Sequence, residues 1–580
     1  MKYTMSFRKI CLIVAFLPLA LAAQKKDVQP NWHHLDLQKD GVFGIGTEKA
    51  YELLKNKKSS SVTVAVIDGG IDTGHEDLKS VMWVNSKEVA GNKVDDDKNG
   101  YVDDVYGWDY IGSAKGSVKY DNLELTRLIR FYQDRYSAVL NTTPLNPAEK
   151  KEFTLYKKLV TEQMGRMEVA RLNLENYSSL RKAMDTIERK IGKTDITRAD
   201  IEKYEPKGSA ESKAIKYIKS ELKDEPDYAS VKEKVKEIYD FCYSQINYHL
   251  NLEFDPRDSI GDNYANSYER VYGNNDVKGP SPLHGTHVAG IIGANRVNNI
   301  GVKGIADNVK IMAIRTVPDG DERDKDVANS IRYAVDNGAK VINMSFGKSY
   351  SWDKAVVDSA IKYAQSKDVL LVHGAGNDAK NLDFNNSFPN RYFTNSSNAN
   401  FENLPSNRLM DMMAQGRSQT IGMGGIVKPA APPKPKPDSV KFSGPQANNW
   451  IEVGASTWKN DENLVADFSN YGKYSVDVFA PGVKINSTLP DSKYKEEEGT
   501  SMASPVVAGI AALIRSYYPN LTAAQVRDVI MRSVVKVNQK VKIKEDGETL
   551  RVKLSDICVS GGVVNAYNAI QLASQLNQNL

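Results

Sequence analysis

Short, almost continuously apolar and β-branched runs recur along the chain, each closed by a turn. Ser61-Val62-Thr63-Val64-Ala65-Val66-Ile67 ends in Asp68-Gly69-Gly70. Lys340-Val341-Ile342-Asn343-Met344-Ser345-Phe346 and Val369-Leu370-Leu371-Val372-His373-Gly374 repeat the pattern, as do residues 450–454 and 476–481. Runs of this length and type predict strands buried on both faces. Helical periodicity lies between several of them, near 285–295, 325–338 and 353–367, and again near 502–517 and 521–534. Strands alternating with helices predict an α/β fold with a mostly parallel sheet covered on both faces.

Two stretches break this rhythm. Residues 113–270 are rich in Lys, Glu, Tyr and Leu. Val231, Val235, Ile238, Cys242, Ile246 and His249 recur every three or four residues and draw one apolar stripe, as do Leu125, Leu128, Tyr132, Tyr136 and Val139. The expectation is an inserted all-α subdomain with its own small core, His249 lying within it. Residues 391–448 form a second insertion, Met-rich and then Pro-rich through Lys428–Pro437, where proline density favours an extended arm.

Of the 580 residues, 41% are apolar, which suffices for a full core. Net charge is +4 from 77 basic and 73 acidic residues, a balance that offers nothing to nucleic acid. Arg8 and Lys9 precede the apolar run Ile10–Ala23, which ends in Ala20-Leu21-Ala22. That is the pattern of a signal peptide spanning 1–23, predicting export to the periplasm, cell surface or medium without a transmembrane segment in the mature chain. Cys242 and Cys558 then remain, either bridged or as buried thiols.

Three segments carry candidate chemistry. Val64–Asp72 sets the carboxylate of Asp68 at the end of a buried strand. His284-Gly285-Thr286-His287-Val288-Ala289-Gly290 sets an imidazole where a helix begins. Gly499-Thr500-Ser501-Met502-Ala503-Ser504-Pro505 sets a hydroxyl at the start of an apolar helix. A serine hydroxyl becomes a useful nucleophile only when a base takes its proton, and a carboxylate behind an imidazole orients that base. His284 and His287 lack the spacing and the Glu of a zinc helix, so His287 reads as a buried structural histidine.

The three segments resemble the signature segments of the subtilase family of serine peptidases, in the chain order Asp, His, Ser. His373–Asp378 resembles that family's oxyanion-hole motif, and Asn343–Gly347 the strand that pairs with substrate backbone. The resemblance covers about 41–112, 271–390 and 449–575, and implies a discontinuous subtilisin-like catalytic domain over 24–112 and 271–575. It also implies Asp68, His284, Ser501 and Asn377 as catalytic residues, with Ser345, Phe346, Gly347 and Asp378 binding substrate. The activity implied is hydrolysis of proteins or peptides through an acyl-enzyme. A non-catalytic binding protein and a peptide ligase or esterase are the rival readings.

The chain departs from the family in a long gap between Asp68 and His284, in leaving no room for the usual folding propeptide before residue 24, and in Lys348, where small residues are common. Asp95, Asp97, Asn99, Tyr101 and Asp103 alternate around Gly100 like the first positions of an EF-hand loop, though the closing Glu is missing. A structural Ca²⁺ and a solvated acidic turn both fit. The acidic run Asp319–Asp326 reads either as a border of the upstream substrate subsites, favouring basic side chains, or as a charged surface turn. The 113–270 insertion must begin and end near the active-site rim, so it either overhangs the cleft or packs away from it.

Overall fold

The computed structural model describes residues 28–223, 225–393, 445–545 and 547–578. The signal-peptide segment 1–23 and the proline-rich arm at Lys428–Pro437 lie outside the described residues. Nine strands form one sheet: β1 (Val62–Asp68), β2 (Gly107–Asp109), β3 (Val309–Arg315), β4 (Val341–Met344), β5 (Leu370–Gly374), β6 (Trp450–Ser456), β7 (Val478–Pro481), β8 (Val535–Lys536) and β9 (Gly562–Val563). Their order is β8-β9-β7-β6-β5-β4-β1-β3-β2. Every pairing is parallel except β8 with β9.

Among the longer helices are, in chain order, α1 (Glu124–Tyr136), α2 (Pro147–Ile191), α3 (Ser209–Glu221), α4 (Tyr228–Ser244), α5 (Leu283–Gly293), α6 (Asp324–Asp336), α7 (Lys354–Ser366) and α8 (Thr500–Tyr517). Period-two alternation assigns the two sheet faces. Val62, Val64 and Val66 of β1 join a core with Val288 and Ile292 of α5 and Val506 and Ile510 of α8. Ala65 and Ile67 turn the other way, into a core with Ile331 of α6 and Ile361 of α7. Helices therefore cover both faces, as the alternating pattern predicts. No described helix is long and apolar enough to cross a membrane.

β3 is a central strand that the hydrophobic pattern does not single out, because Lys310 and Arg315 interrupt its apolar run. The fold satisfies both charges. Lys310 donates to the C=O of Ser80, and the buried Arg315 guanidinium pairs with Asp109 of β2 at 3.0 Å.

Between β2 and α5 stand α1 to α4. Met184 and Ile187 of α2, Ile218 of α3, and Val231 and Val235 of α4 make one small core. Leu125, Leu128 and Ile129 of α1, with Leu159 of α2 and Leu250, make another. Val231, Val235, Cys242 and His249 of the expected stripe are all buried, but the α-helix ends at Ser244 and the last turn, Gln245–His249, is π-helical. Cys242 and Cys558 are both buried and unbridged, so the possible disulfide does not form.

Candidate active site

Asp68 ends β1, and the turn after it lets α5 approach. Gly285 allows this: a Cβ there would lie 2.3 Å from the C=O of Gly70 and 3.0 Å from the Asp68 Cβ. His284 consequently faces Asp68, with Nδ1 at 2.9 Å from each carboxylate oxygen. Asp68 also accepts from the N–H of Gly69 at 2.7 Å, which fixes the carboxylate. Desolvation pulls the imidazole pKa down, but the charge and hydrogen bond of Asp68, with Glu497 nearby, outweigh it and raise the pKa above 6.5.

Ser501 is the second residue of α8, at the helix end where the macrodipole is positive, and it lines a cavity that His284 also lines. That cavity, of about 160 Å³, is lined by His284, Asn377, Glu497 and Ser501 among others. Ser501 Oγ donates to the C=O of Ser345 at 3.1 Å, and no hydrogen bond joins it to His284 among the described residues. The Asn377 side chain is oriented by Thr500: its Oδ1 accepts from the Thr500 N–H at 2.9 Å and hydroxyl at 3.0 Å. The Asn377 Nδ2 is left free to donate. His287 also lines this cavity but makes no hydrogen bond to His284, Asn377 or Ser501 among the described residues. Its Nε2 meets the C=O of Lys495 at 3.0 Å, and burial lowers its pKa to about 4, so it stays neutral.

Ser345, Phe346 and Gly347 continue β4 past its end and run beside Ser501. Ser345 Oγ donates to the C=O of Ser501 at 3.0 Å. The Phe346 C=O accepts from His373 Nε2 at 2.7 Å, and His373 Nδ1 meets Glu452 at 2.8 Å. Burial lowers the His373 pKa, but Glu452 outweighs it and the net shift is upward. An oxygen faces each ring nitrogen, an arrangement that favours the protonated ring beneath the strand. The sequence carries no signal for this pair, whose members lie 79 residues apart. Asp378 is exposed, its N–H held by Asn470, and reaches no substrate-strand residue.

Most of the acidic run turns inward rather than forming a charged surface turn: Asp319 stays exposed, but residues 322–326 do not. Glu322, Arg323, Asp324, Lys325 and Asp326 are all buried and their side chains face protein groups. The Glu322 carboxyl pKa rises to about 8, chiefly through burial. The buried carboxyls of residues 322–326 are neutral or internally paired and offer no charge to a basic substrate side chain, whereas Asp319 stays exposed.

The predicted calcium loop divides in the structure. Asp95 and Asp97 come together with Glu88, a residue the spacing argument missed, with one carboxylate oxygen of each within 4.8 Å of the others. Asp103 is not in that group. Its oxygens accept from the N–H of Gly91 at 2.8 Å and of Lys93 at 2.9 Å. Asn99 turns its Oδ1 to the N–H of Tyr101 at 2.7 Å, and the Tyr101 ring is buried against Trp108 and Tyr333. Three facing carboxylates are a hard-oxygen donor set suited to Ca²⁺.

The sequence model of the subtilase family matches residues 59–550. The thermophilic serine proteinase of Bacillus sp. (strain AK1) is 32% identical over 288 residues, 50% of this chain and 52% of the relative. Subtilisin amylosacchariticus of Bacillus subtilis subsp. amylosacchariticus is 34% identical over 248 residues, 42% of this chain and 49% of the relative. The chain thus spans about half the length of the curated relatives it matches. Among solved structures, a protease from Pseudoalteromonas arctica PAMC 21717 aligns over 52% of this chain and 74% of its own, at 26% identity and a TM-score of 0.33. With the family model matched across most of its length, and with an Asp–His pair, a serine and an asparagine gathered at one cavity, this chain belongs to the subtilase family.

Proposed function

We propose that the chain is an exported serine endopeptidase that hydrolyses protein or peptide substrates through an acyl-enzyme on Ser501. The observation that carries this reading is the contact of His284 Nδ1 with both oxygens of Asp68 at 2.9 Å, in the cavity that holds Ser501 and Asn377. Nδ1 bonded to the carboxylate leaves Nε2 as the basic nitrogen. Ser501 Oγ leaves the Ser345 carbonyl, gives its proton to His284 Nε2 and attacks the scissile carbonyl carbon. Asn377 Nδ2 and the Ser501 N–H receive the developing oxyanion. His284 then passes the proton to the departing amine, and water repeats the sequence to release the acid.

The test is incubation with casein and, separately, with a serine-directed phosphonylating reagent, followed by mass spectrometry. The reading requires cleaved casein and a label on Ser501 alone. Asn377→Ala is expected to lower kcat by ~10²–10³-fold with little change in KM, the loss known for this kind of donor in subtilisin. An unchanged kcat would reassign the residue. Export follows from the signal-peptide pattern at 1–23, and cleavage near Ala22 or Ala23 is read directly as the N-terminus of the mature protein.

A structural Ca²⁺ at Glu88, Asp95 and Asp97 is part of the same reading. It supplies positive charge among three facing carboxylates and takes no part in the chemistry. A ligand that binds only the native state stabilises it by mass action, so EDTA should lower Tm and Asp97→Ala should remove that sensitivity. A Tm indifferent to EDTA leaves the loop as a solvated turn.

A further inference from the structure

Where the helical insertion meets the catalytic core, the contact is built largely of buried charge. Lys348 directly follows Ser345-Phe346-Gly347, and its side chain is 1% exposed. Its ammonium lies 2.8 Å from the carboxylates of Glu124 and of Asp324 and donates to the C=O of Glu322 at 2.8 Å. Glu124 is the first residue of α1 and also accepts from Arg127 at 2.6 Å. Arg127 in turn donates to the C=O of Asp321 at 3.1 Å and of Glu322 at 3.0 Å. Asp121 holds Arg323 through two bonds of 2.7 and 2.8 Å.

The backbones join as well. The Asp319 N–H donates to the C=O of Lys119 at 2.8 Å, and the Asp121 N–H to the C=O of Asp319 at 3.0 Å. Residues 119–122 therefore lie as a parallel strand against 319–321, with Tyr120 bridged to Asp319. His249 adds a contact to the Asp319 C=O at 3.1 Å. The two backbones meet most closely at Gly320, where φ is +140° and a Cβ would sit 2.3 Å from the Asp121 C=O.

In an extended segment, successive residues direct their N–H and C=O groups to opposite edges. Asp319 and Asp321 use theirs on the insertion, so Gly320 directs its own away from it. The backbone groups of Gly320 and of Gly347 have no hydrogen-bond partner among the described residues. Under the endopeptidase reading, on which this inference rests, these are edges offered to the upstream part of an extended substrate.

We infer that the insertion is a brace for the upstream subsites, in which Asp121, Glu124 and Arg127 are positioning residues that hold segment 319–323 and the end of the substrate strand at a fixed separation. Without the brace, the 319–323 segment is a loop that must be ordered by each substrate, and the cost appears as weaker binding.

The experiment uses Glu124→Gln in the full chain, which keeps side-chain size and removes the charge facing Lys348. Two substrates are compared: a tetrapeptide p-nitroanilide, which fills the upstream subsites, and p-nitrophenyl acetate, which has no upstream residues. The brace requires kcat/KM for the tetrapeptide to fall by about ten-fold or more, chiefly through KM, with acetate turnover unchanged within about two-fold. Glu124→Asp should recover part of the loss. If Glu124→Gln fails to fold, Glu124→Gln with Arg127→Met removes the ion pair as a unit and leaves Lys348 on Asp324 and Asp121 on Arg323. Equal losses on both substrates, or a loss on neither, overturn the brace. Wild-type protein that cleaves neither substrate and takes no label on Ser501 overturns the endopeptidase reading itself, and the brace with it.

Discussion

Ser501→Ala should abolish peptide hydrolysis and leave the fold intact. The nucleophilic oxygen is lost, so His284 has no proton to accept and the acyl-enzyme cannot form. In subtilisin, loss of this nucleophile alone lowers kcat by ~10⁶-fold, and the same order is expected here. What remains should be a residual rate over water of ~10³–10⁴-fold from the oxyanion donors and substrate binding. Packing is barely touched: Ser501 Oγ makes one hydrogen bond, to the Ser345 C=O, while Met502, Ala503, Val506 and Val507 of α8 are the residues in the core. The melting temperature should therefore move by less than about 2 °C. Casein hydrolysis, phosphonylation and a melting curve on the purified variant read all three. Turnover at the wild-type rate, or labelling without Ser501, would place the chemistry elsewhere.

Lys348→Met should destabilise the protein by roughly 3–5 kcal/mol, because it removes one partner of a buried charge cluster and leaves the others. Burial alone would lower the Lys348 pKa, but Asp324 and Glu124 outweigh it and hold the ammonium charged. Methionine fills nearly the same volume, so the loss reports charge rather than a cavity. Glu124 keeps Arg127, whereas Asp324 is left with only the Ser351 hydroxyl and the Asp353 N–H.

The deficit also has a pH signature. Desolvation raises the Glu124 pKa, but Arg127 and then Lys348 outweigh it and bring it from 4.5 to about 2. A depressed carboxylate contributes stability above its unfolded pKa and loses it as pH falls through the folded one. The difference between wild type and variant should shrink between pH 4.5 and about 2. Urea unfolding at pH 7 and pH 3 measures both. A loss below ~1 kcal/mol at pH 7 would mean that the cluster is hydrated rather than dry.

Both predictions begin at residues visible in the chain, but only the first was legible there. β1, β4, β5, β6 and β7 and the helices α5 to α8 were readable because their side-chain periods are local: unbroken β-branched runs for doubly covered strands, and a 3.6-residue repeat for helices. β3 escaped because Lys310 and Arg315 break its apolar run, and the groups that accept from them, the Ser80 C=O and the Asp109 carboxylate, are distant in sequence. The 45-residue helix α2 carries a legible signal at its ends rather than in an apolar stripe. Asn146, Pro147 and Glu149 form a capping box with proline at the first helical position, and Gly192 closes the far end.

Asp68, His284, Ser501 and Asn377 each sit in a short segment whose own turn or helix start presents the side chain. The sequence by itself therefore determined the doubly covered parallel sheet, the presence of a helical insertion and the four residues gathered at the cavity. Only the tertiary structure decided that Glu88 and not Asp103 closes on Asp95 and Asp97, that Cys242 and Cys558 stay apart, that His373 meets Glu452, and that residues 322–326 face inward beside Glu124, Arg127 and Lys348. Glu124 and Lys348 are 224 residues apart. A local pattern reveals which residues share a face, but the partner of a buried charge is set by which chain segments the fold brings within a few ångströms, and no periodicity records that.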